Sequence, residues 1–293
     1  MTNKSIGFIG GGRVTRIFLE GWQRANAMPG KIVVSDCNAE TLAKLPRRFP
    51  QIETAPSNSA AAAAQDIVLL AVHPPVMTEV LAGIKGSLKP GALVVSLAPK
   101  FTVIKLTELL GGFARLARVI PNAPSVMNLG FNPVAFGPAL PAADRAVLAD
   151  LLKPLGDSPE VAESKLEGYA LLSGMGATYL WFQLQALREV ATGFGLSDAD
   201  ITPALKRTVC GATRTLLESG LPPAEVMDLI PVKPLAEMEA HVTEMYRTRL
   251  HGLYGMSEVQ ALYAMRTAGD PPERRMLGGG RPVAPAARVR IVA

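Results

Sequence analysis

Ile6-Gly7-Phe8-Ile9-Gly10-Gly11-Gly12-Arg13-Val14-Thr15 is the stretch that decides the fold. A short apolar run broken by glycines reads as a buried strand ending in a tight turn. The pattern G-x-G-x-x-T then leads into a helix, which is the context a dinucleotide phosphate site needs. Gly10 permits the turn, and Gly11 and Gly12 let a pyrophosphate approach the backbone. The helix start at Arg13 and Val14 supplies N–H groups and the positive end of the dipole. Thr15 stands where a smaller residue is usual, and is expected to loosen the helix-to-strand contact slightly.

Outward from this turn the same alternation repeats. Residues 5–9, 32–35, 67–72, 92–97 and 116–120 read as buried parallel strands, and 13–25, 39–49, 76–85 and 103–110 as the helices between them. Alternating β and α elements imply right-handed crossovers and a doubly wound, mainly parallel sheet of the α/β Rossmann kind. The alanine run 60–64 predicts a small-residue helix packed closely on that sheet. Asp36 ends the second strand at the distance where a carboxylate accepts hydrogen bonds from the adenosine ribose, and it repels a 2′-phosphate. NAD is therefore favoured over NADP, with capping of the next helix as the alternative role for Asp36.

From about Lys165 the pattern becomes helical without strands. Residues 177–192 carry apolar side chains on two faces, Leu180, Leu184, Leu187 and Ala191 on one and Tyr179, Phe182, Ala186 and Val190 on the other. Such a helix needs cover on more than one side, and a second copy of the chain is the expected source. Gly195 is its stop, and Ser197 with Asp200 makes a capping box for a helix over 199–218. Shorter helices are expected at 223–229 and from 235 to about 265. The domains expected are a dinucleotide-binding unit at 1–164, an all-α dimerisation and substrate unit at 165–267, and a flexible tail at 268–293.

Composition narrows the function. The chain has 293 residues, 48% hydrophobic and 19% charged, which excludes a disordered protein. Most of the formal net charge of +5 lies in the tail, which holds five arginines and one glutamate after residue 270, so nucleic acid is not an expected partner. No apolar run is long enough for a membrane span. The start of the chain leads directly into a strand rather than a signal peptide, and two distant cysteines, Cys37 and Cys210, suit a reducing compartment. A cytoplasmic protein is expected. The three histidines and two cysteines never cluster at metal-ligand spacing, so no metal site is expected.

Five separated motifs, running from Ile6 to about Asp228, resemble the pyrroline-5-carboxylate reductase family. The glycine-rich opening is similar to that family's start. Ala71-Val72-His73-Pro74 resembles its Ala-Val-Lys-Pro turn, with His for Lys. Arg118-Val119-Ile120-Pro121-Asn122-Ala123-Pro124 resembles its Arg-x-Met-Pro-Asn-Thr-Pro, the most specific of the short matches. Ser173-Gly174-Met175-Gly176-Ala177-Thr178-Tyr179 resembles Ser-Gly-Ser-Gly-Pro-Ala-Tyr at the start of the long helix. Gly211-Ala212, Leu217-Glu218-Ser219-Gly220 and Asp228 continue the match.

The resemblance implies hydride transfer from a nicotinamide to a C=N carbon, a helical domain interlocked between subunits, and an active site at the domain boundary. It implies cofactor contacts at Ala71, Val72, His73, Pro74, Ala98 and Asn122 beyond the glycine turn and Asp36. Substrate contacts fall on Ser173, Gly174, Met175 and Lys233, and Asn122, Glu237 and His73 are the candidate catalytic residues. One stretch departs from the family. Where the family has Ser-Pro-Gly-Gly-Thr-Thr, whose N–H groups hold the substrate carboxylate, this chain has Val232-Lys233-Pro234-Leu235-Ala236-Glu237. Three readings stay open: reduction of pyrroline-5-carboxylate or a close relative, reduction of a different cyclic imine or imino acid, and a non-catalytic NAD(P)-binding protein. Of the histidines, His73, His241 and His251, only His73 sits in a cofactor-side loop.

Overall fold

The computed structural model describes residues 4–56, 59–250, 264–265 and 281–282. Two compact units divide between Ala177 and Thr178.

The first unit is built on a seven-stranded sheet. Its strands are β1 (Ile6–Ile9), β2 (Ile32–Asp36), β3 (Glu53–Pro56), β4 (Ile67–Leu70), β5 (Leu93–Ser96), β6 (Leu116–Val119) and β8 (Val134–Phe136). Between the last two, β7 (Gly130–Phe131) pairs instead with β9 (Gly156–Asp157). The sheet order is β3-β2-β1-β4-β5-β6-β8, parallel throughout except for β8 against β6. The order reverses between β1 and β4, so the crevice where ligands bind in open α/β sheets lies at the carboxyl ends of those two strands. This is the doubly wound sheet expected from the alternation of elements. Two strands were not legible in it, β3 and β8, and both are edges with too little apolar sequence to stand out.

Helices cover both faces, as buried parallel strands require. On one side α1 (Arg13–Arg24), α2 (Ala39–Arg48) and α6 (Ala142–Leu152) bury Phe18, Leu19, Trp22, Leu45 and Leu148 against Phe8, Val34 and Val119. Phe8, Phe18 and Trp22 pack with ring centroids 5.5–6.0 Å apart. The Trp22 indole N–H donates to the Leu151 carbonyl at 2.9 Å, so burial of this ring leaves no donor stranded. On the other side α3 (Ser59–Ala63), α4 (Pro74–Ile84) and α5 (Val103–Leu109) bury Ala62, Met77, Leu81 and Leu106 against Val68 and Val94. The alanine helix does pack closely: a Cβ on Gly7 would collide with the Ala62 carbonyl, so glycine on β1 is what lets α3 approach.

The unit closes through α7 (Leu166–Tyr169) and a π-helical turn, Ala170–Gly174. The long helix α8 (Gly176–Gly193) follows, then α9 (Asp198–Glu218), α10 (Pro223–Asp228) and α11 (Ala236–Met245). The Ser197–Asp200 capping box forms as expected, and Gly195 takes a positive φ of 84° after α8. The predicted helix over 235–265 is shorter in its described part, ending at Met245 and running on as a π turn to Leu250. Nor does that helix reach Met265: residues 264–265 are extended and pair antiparallel with 281–282, while residues 251–263, His251 among them, and the expected tail except 281–282 lie outside the described residues. Large apolar side chains of α8 remain exposed in the single chain, among them Leu180, Trp181, Phe182, Leu187 and Val190.

Candidate cofactor and substrate site

The glycine turn sits at the carboxyl end of β1 and is fastened from three directions. Gly10, at φ 104°, donates its N–H to the Ser35 carbonyl at 2.8 Å. Its Cα lies so near the Ala71 carbonyl that an added Cβ would come within 2.5 Å of that oxygen. The third tie is Thr15, fully buried, whose hydroxyl donates to the Gly10 carbonyl at 2.5 Å. Thr15 therefore ties the first turn of α1 to the glycine turn, its hydroxyl finding a backbone acceptor five residues back.

Gly12 caps α1 without a side-chain hydrogen bond, no acid occupies the first turn, and a Cβ on Gly12 would meet nothing within 4 Å. An uncapped helix start with open space before it, and an exposed Arg13 as its first residue, offers the N–H groups and positive dipole end that a phosphate group would need. Asp36 stands beside it, half-buried. One carboxylate oxygen accepts the Gly11 N–H at 2.7 Å and the other the Asn38 N–H at 2.7 Å. The cap of α2 is Asn38, whose side chain accepts the Thr41 N–H, so capping does not account for Asp36. A carboxylate has lone pairs left for two ribose hydroxyls in this arrangement.

The neighbouring strand ends bring in the other predicted cofactor residues. Ala71 donates its N–H to the Ile9 carbonyl at 2.8 Å, which fixes Ala71 and Val72 next to the glycine turn. Exposed His73 is the N-cap of α4 and Pro74 its first residue. Ala98 is buried just past β5.

Asn122, 6% exposed, follows β6. Its side-chain N–H donates to the Ser173 carbonyl at 2.5 Å, its side-chain oxygen accepts the Phe131 N–H at 3.2 Å, and its own N–H donates to Asn132 Oδ1 at 2.9 Å. The first of these bonds ties the π turn, with Ser173 and Gly174 and with Met175 next to it, to the carboxyl end of β6. The Ser173 hydroxyl is itself turned back onto the Tyr169 carbonyl at 3.0 Å. In the geometry described, Asn122 orients backbone and has both ends of its amide engaged.

One buried ion cluster escaped the sequence reading. The Arg118 side chain, 2% exposed, lies within the sheet and binds Glu163 at 3.0 Å and Glu167 at 2.7 Å. An arginine inside an apolar strand was the signal, since a buried guanidinium requires acids.

Lys233 and Glu237 belong to the second unit and are both exposed. The start of α11 uses its own N–H groups locally: Ala236 donates to the Lys233 carbonyl at 3.1 Å and Met238 to the Leu235 carbonyl at 2.9 Å. Glu237 and Glu239 lie in its first turn, and His241 is exposed further along. Among the described residues no group of three or more His, Cys, Asp or Glu side chains is placed to hold a metal ion, and no helix is long and apolar enough to cross a membrane.

The doubly wound sheet with its glycine turn, taken with the similarities that follow, is that of an NAD(P)-dependent oxidoreductase. The particular proteins it is similar to are pyrroline-5-carboxylate reductases. Residues 5–100 match the family model described as NADP oxidoreductase, coenzyme F420-dependent. The chain is 29% identical over 228 residues to pyrroline-5-carboxylate reductase of Escherichia coli (strain K12), covering 78% of this chain and 84% of that one. It is 29% identical over 253 residues to the enzyme of Corynebacterium melassecola, covering 85% and 93%. Among solved structures, a pyrroline-5-carboxylate reductase from Coxiella burnetii superposes with a TM-score of 0.62 at 26% identity, covering 86% of this chain and 94% of that one. The NADP-bound pyrroline carboxylate reductase of Plasmodium falciparum gives 0.71 at 22% identity over 85% and 95%, a likeness of fold.

Proposed function

We propose that the protein transfers a hydride from a nicotinamide cofactor to the carbon of a C=N bond in a small cyclic imine. The observation that carries this reading is the commitment of polar groups at the nicotinamide end. Asn122 and the Ser173 hydroxyl are both spent on backbone partners. Ketone reduction calls for a proton donor to the developing alkoxide, whereas an iminium arrives already protonated and electrophilic. Positioning of the imine carbon against the nicotinamide then supplies much of the rate. When bound, the cofactor supplies the hydride. Gly10, Gly11, Gly12, Arg13 and Val14 would hold its pyrophosphate, Asp36 its ribose, and Ala71, Val72, His73, Pro74 and Ala98 would line the nicotinamide half. Asp36 favours NADH over NADPH. The exposed apolar faces of α8 support a homodimer or larger assembly, and the two free cysteines suit the cytoplasm.

A second observation bears on the substrate. The loop before α11 contains Pro231 and Pro234, which have no N–H, and two N–H groups of the helix start are already bonded within it. Its first turn carries two carboxylates. A substrate carboxylate would find few donors there, and losing two or three charge-assisted hydrogen bonds costs a factor of about 10³ in specificity. We therefore favour an imine without that carboxylate over pyrroline-5-carboxylate, with Lys233 as the partial substitute for an anionic substrate. Steady-state kinetics on 1-pyrroline and pyrroline-5-carboxylate test this. The expected result is better turnover of 1-pyrroline, and a raised KM in Lys233→Ala for the anionic substrate alone. Efficient turnover of pyrroline-5-carboxylate that ignores Lys233→Ala would show that the carboxylate is held elsewhere.

A further inference from the structure

We propose that Glu167 is a positioning residue that shapes the nicotinamide end of the cofactor site by holding the backbone of Lys100. The inference rests on the dinucleotide reading of the sheet's carboxyl edge.

The chain leaves β5 through Leu97, Ala98, Pro99 and Lys100 before α5 begins at Val103. Lys100 has φ 69°, a conformation that side-chain-bearing residues adopt only when the surroundings impose it. The constraint is visible. The Lys100 N–H donates to Glu167 Oε1 at 2.9 Å, and three residues on the Val103 N–H donates to Glu163 Oε1 at 2.7 Å. The same two oxygens receive the Arg118 guanidinium. Arg118 is anchored in β6, so it fixes both carboxylates and they fix the loop. Ala98, which lines the proposed nicotinamide site, is two residues from the point of attachment.

Charge balance alone does not account for Glu167. Glu163 already neutralises the buried guanidinium, and what Glu167 adds is the bond to the strained residue of the loop. Glu167 also begins the segment that runs into the π turn, where the Ser173 carbonyl is held by Asn122. Two residues of a single motif, Arg118 and Asn122, thus fasten one segment at two points. The outcome is a loop held to the accuracy that cofactor alignment requires, by residues that do not touch the cofactor.

Calorimetric titration with NADH and with ADP-ribose, which lacks the nicotinamide, separates this role from a merely structural one. Glu167→Asp keeps a negative charge near Arg118 but withdraws the oxygen that Lys100 and Arg118 share. Glu167→Gln keeps an acceptor within reach and removes the charge. The inference predicts NADH binding about tenfold weaker in Glu167→Asp, the loss of one good hydrogen bond. In Glu167→Gln it predicts NADH binding within about twofold of the unaltered protein, and in both variants ADP-ribose binding unchanged. Normal NADH affinity in Glu167→Asp, the reverse order of the two variants, or parallel loss of both ligands would overturn it. If the unaltered protein binds neither NADH nor ADP-ribose, the dinucleotide reading itself fails instead.

Discussion

Replacing Asp36 with alanine should narrow the preference between the two nicotinamide cofactors, and the size of the change follows from the geometry. The carboxylate is half-buried at the end of β2 and is held by the N–H groups of Gly11 and Asn38. A 2′-phosphate on a ribose seated against it would bring a negative charge within about 5 Å. At effective dielectrics between those of water and a protein surface, unit charges at that distance repel by about 1 to 3 kcal/mol. The unaltered protein should therefore bind NADH about five- to 150-fold more tightly than NADPH. In Asp36→Ala that repulsion vanishes and the ribose diol of NADH loses its acceptor. The glycine turn also loses its bond to Asp36, which weakens both cofactors by a common factor. Fluorescence titration of both cofactors against both proteins gives four dissociation constants, and the ratio is the quantity of interest. Added salt should shrink the ratio in the unaltered protein and barely affect it in the variant. Equal or tighter NADPH binding by the unaltered protein would refute the reasoning, as would a ratio that survives Asp36→Ala.

Two further outcomes follow from the same structure. Asp66, just before β4, binds Lys89 and the backbone and hydroxyl of Ser5, and the Lys89 ammonium foremost holds its carboxyl well below the usual carboxylate range. Because the folded value is depressed, the stabilisation is present above the unfolded value of 3.8 and lost as pH falls below it. Asp66→Asn should lower the melting temperature at neutral pH, with the gap to the unaltered protein closing below about pH 4 in thermal scans; a gap constant with pH would contradict this. The apolar side chains exposed on α8 call for cover by a second copy, so light scattering should report a dimer or larger particle, and a stable monomer at micromolar concentration would reject that expectation.

What could be read from the sequence, and what could not, divides along the range of the interactions. The strands β1, β2, β4, β5 and β6 declared themselves because strands buried on both faces are continuous apolar runs. The edge strand β3, Glu53–Pro56, has one apolar residue besides its proline, and β8 has three residues in all. Neither carries a periodic signal. The capping box at Ser197 and the stop at Gly195 were legible because both depend on neighbours within a few positions. Asp36 was legible as a candidate ribose contact from its spacing. Its bond to Gly11, though, depends on the register that sets Ile9 beside Ser35. Asn122 shows the limit most clearly. Its side chain reads as a free donor and acceptor, and only the fold reveals that Ser173, 51 residues on, takes the donor. Glu163 and Glu167, 45 and 49 residues from Arg118, were invisible for the same reason.

The central claim is that a hydride passes from the nicotinamide to the carbon of a C=N bond, and isotope transfer tests it most directly. NADH carrying deuterium on the transferable face of C4 would be incubated with the full-length protein and 1-pyrroline, and the product analysed by mass spectrometry. The account predicts one deuterium per product molecule, bound to the former imine carbon, with one NADH oxidised for each. Binding of NADH without its oxidation by any cyclic imine would contradict the account and leave a dinucleotide-binding protein with no reductase activity.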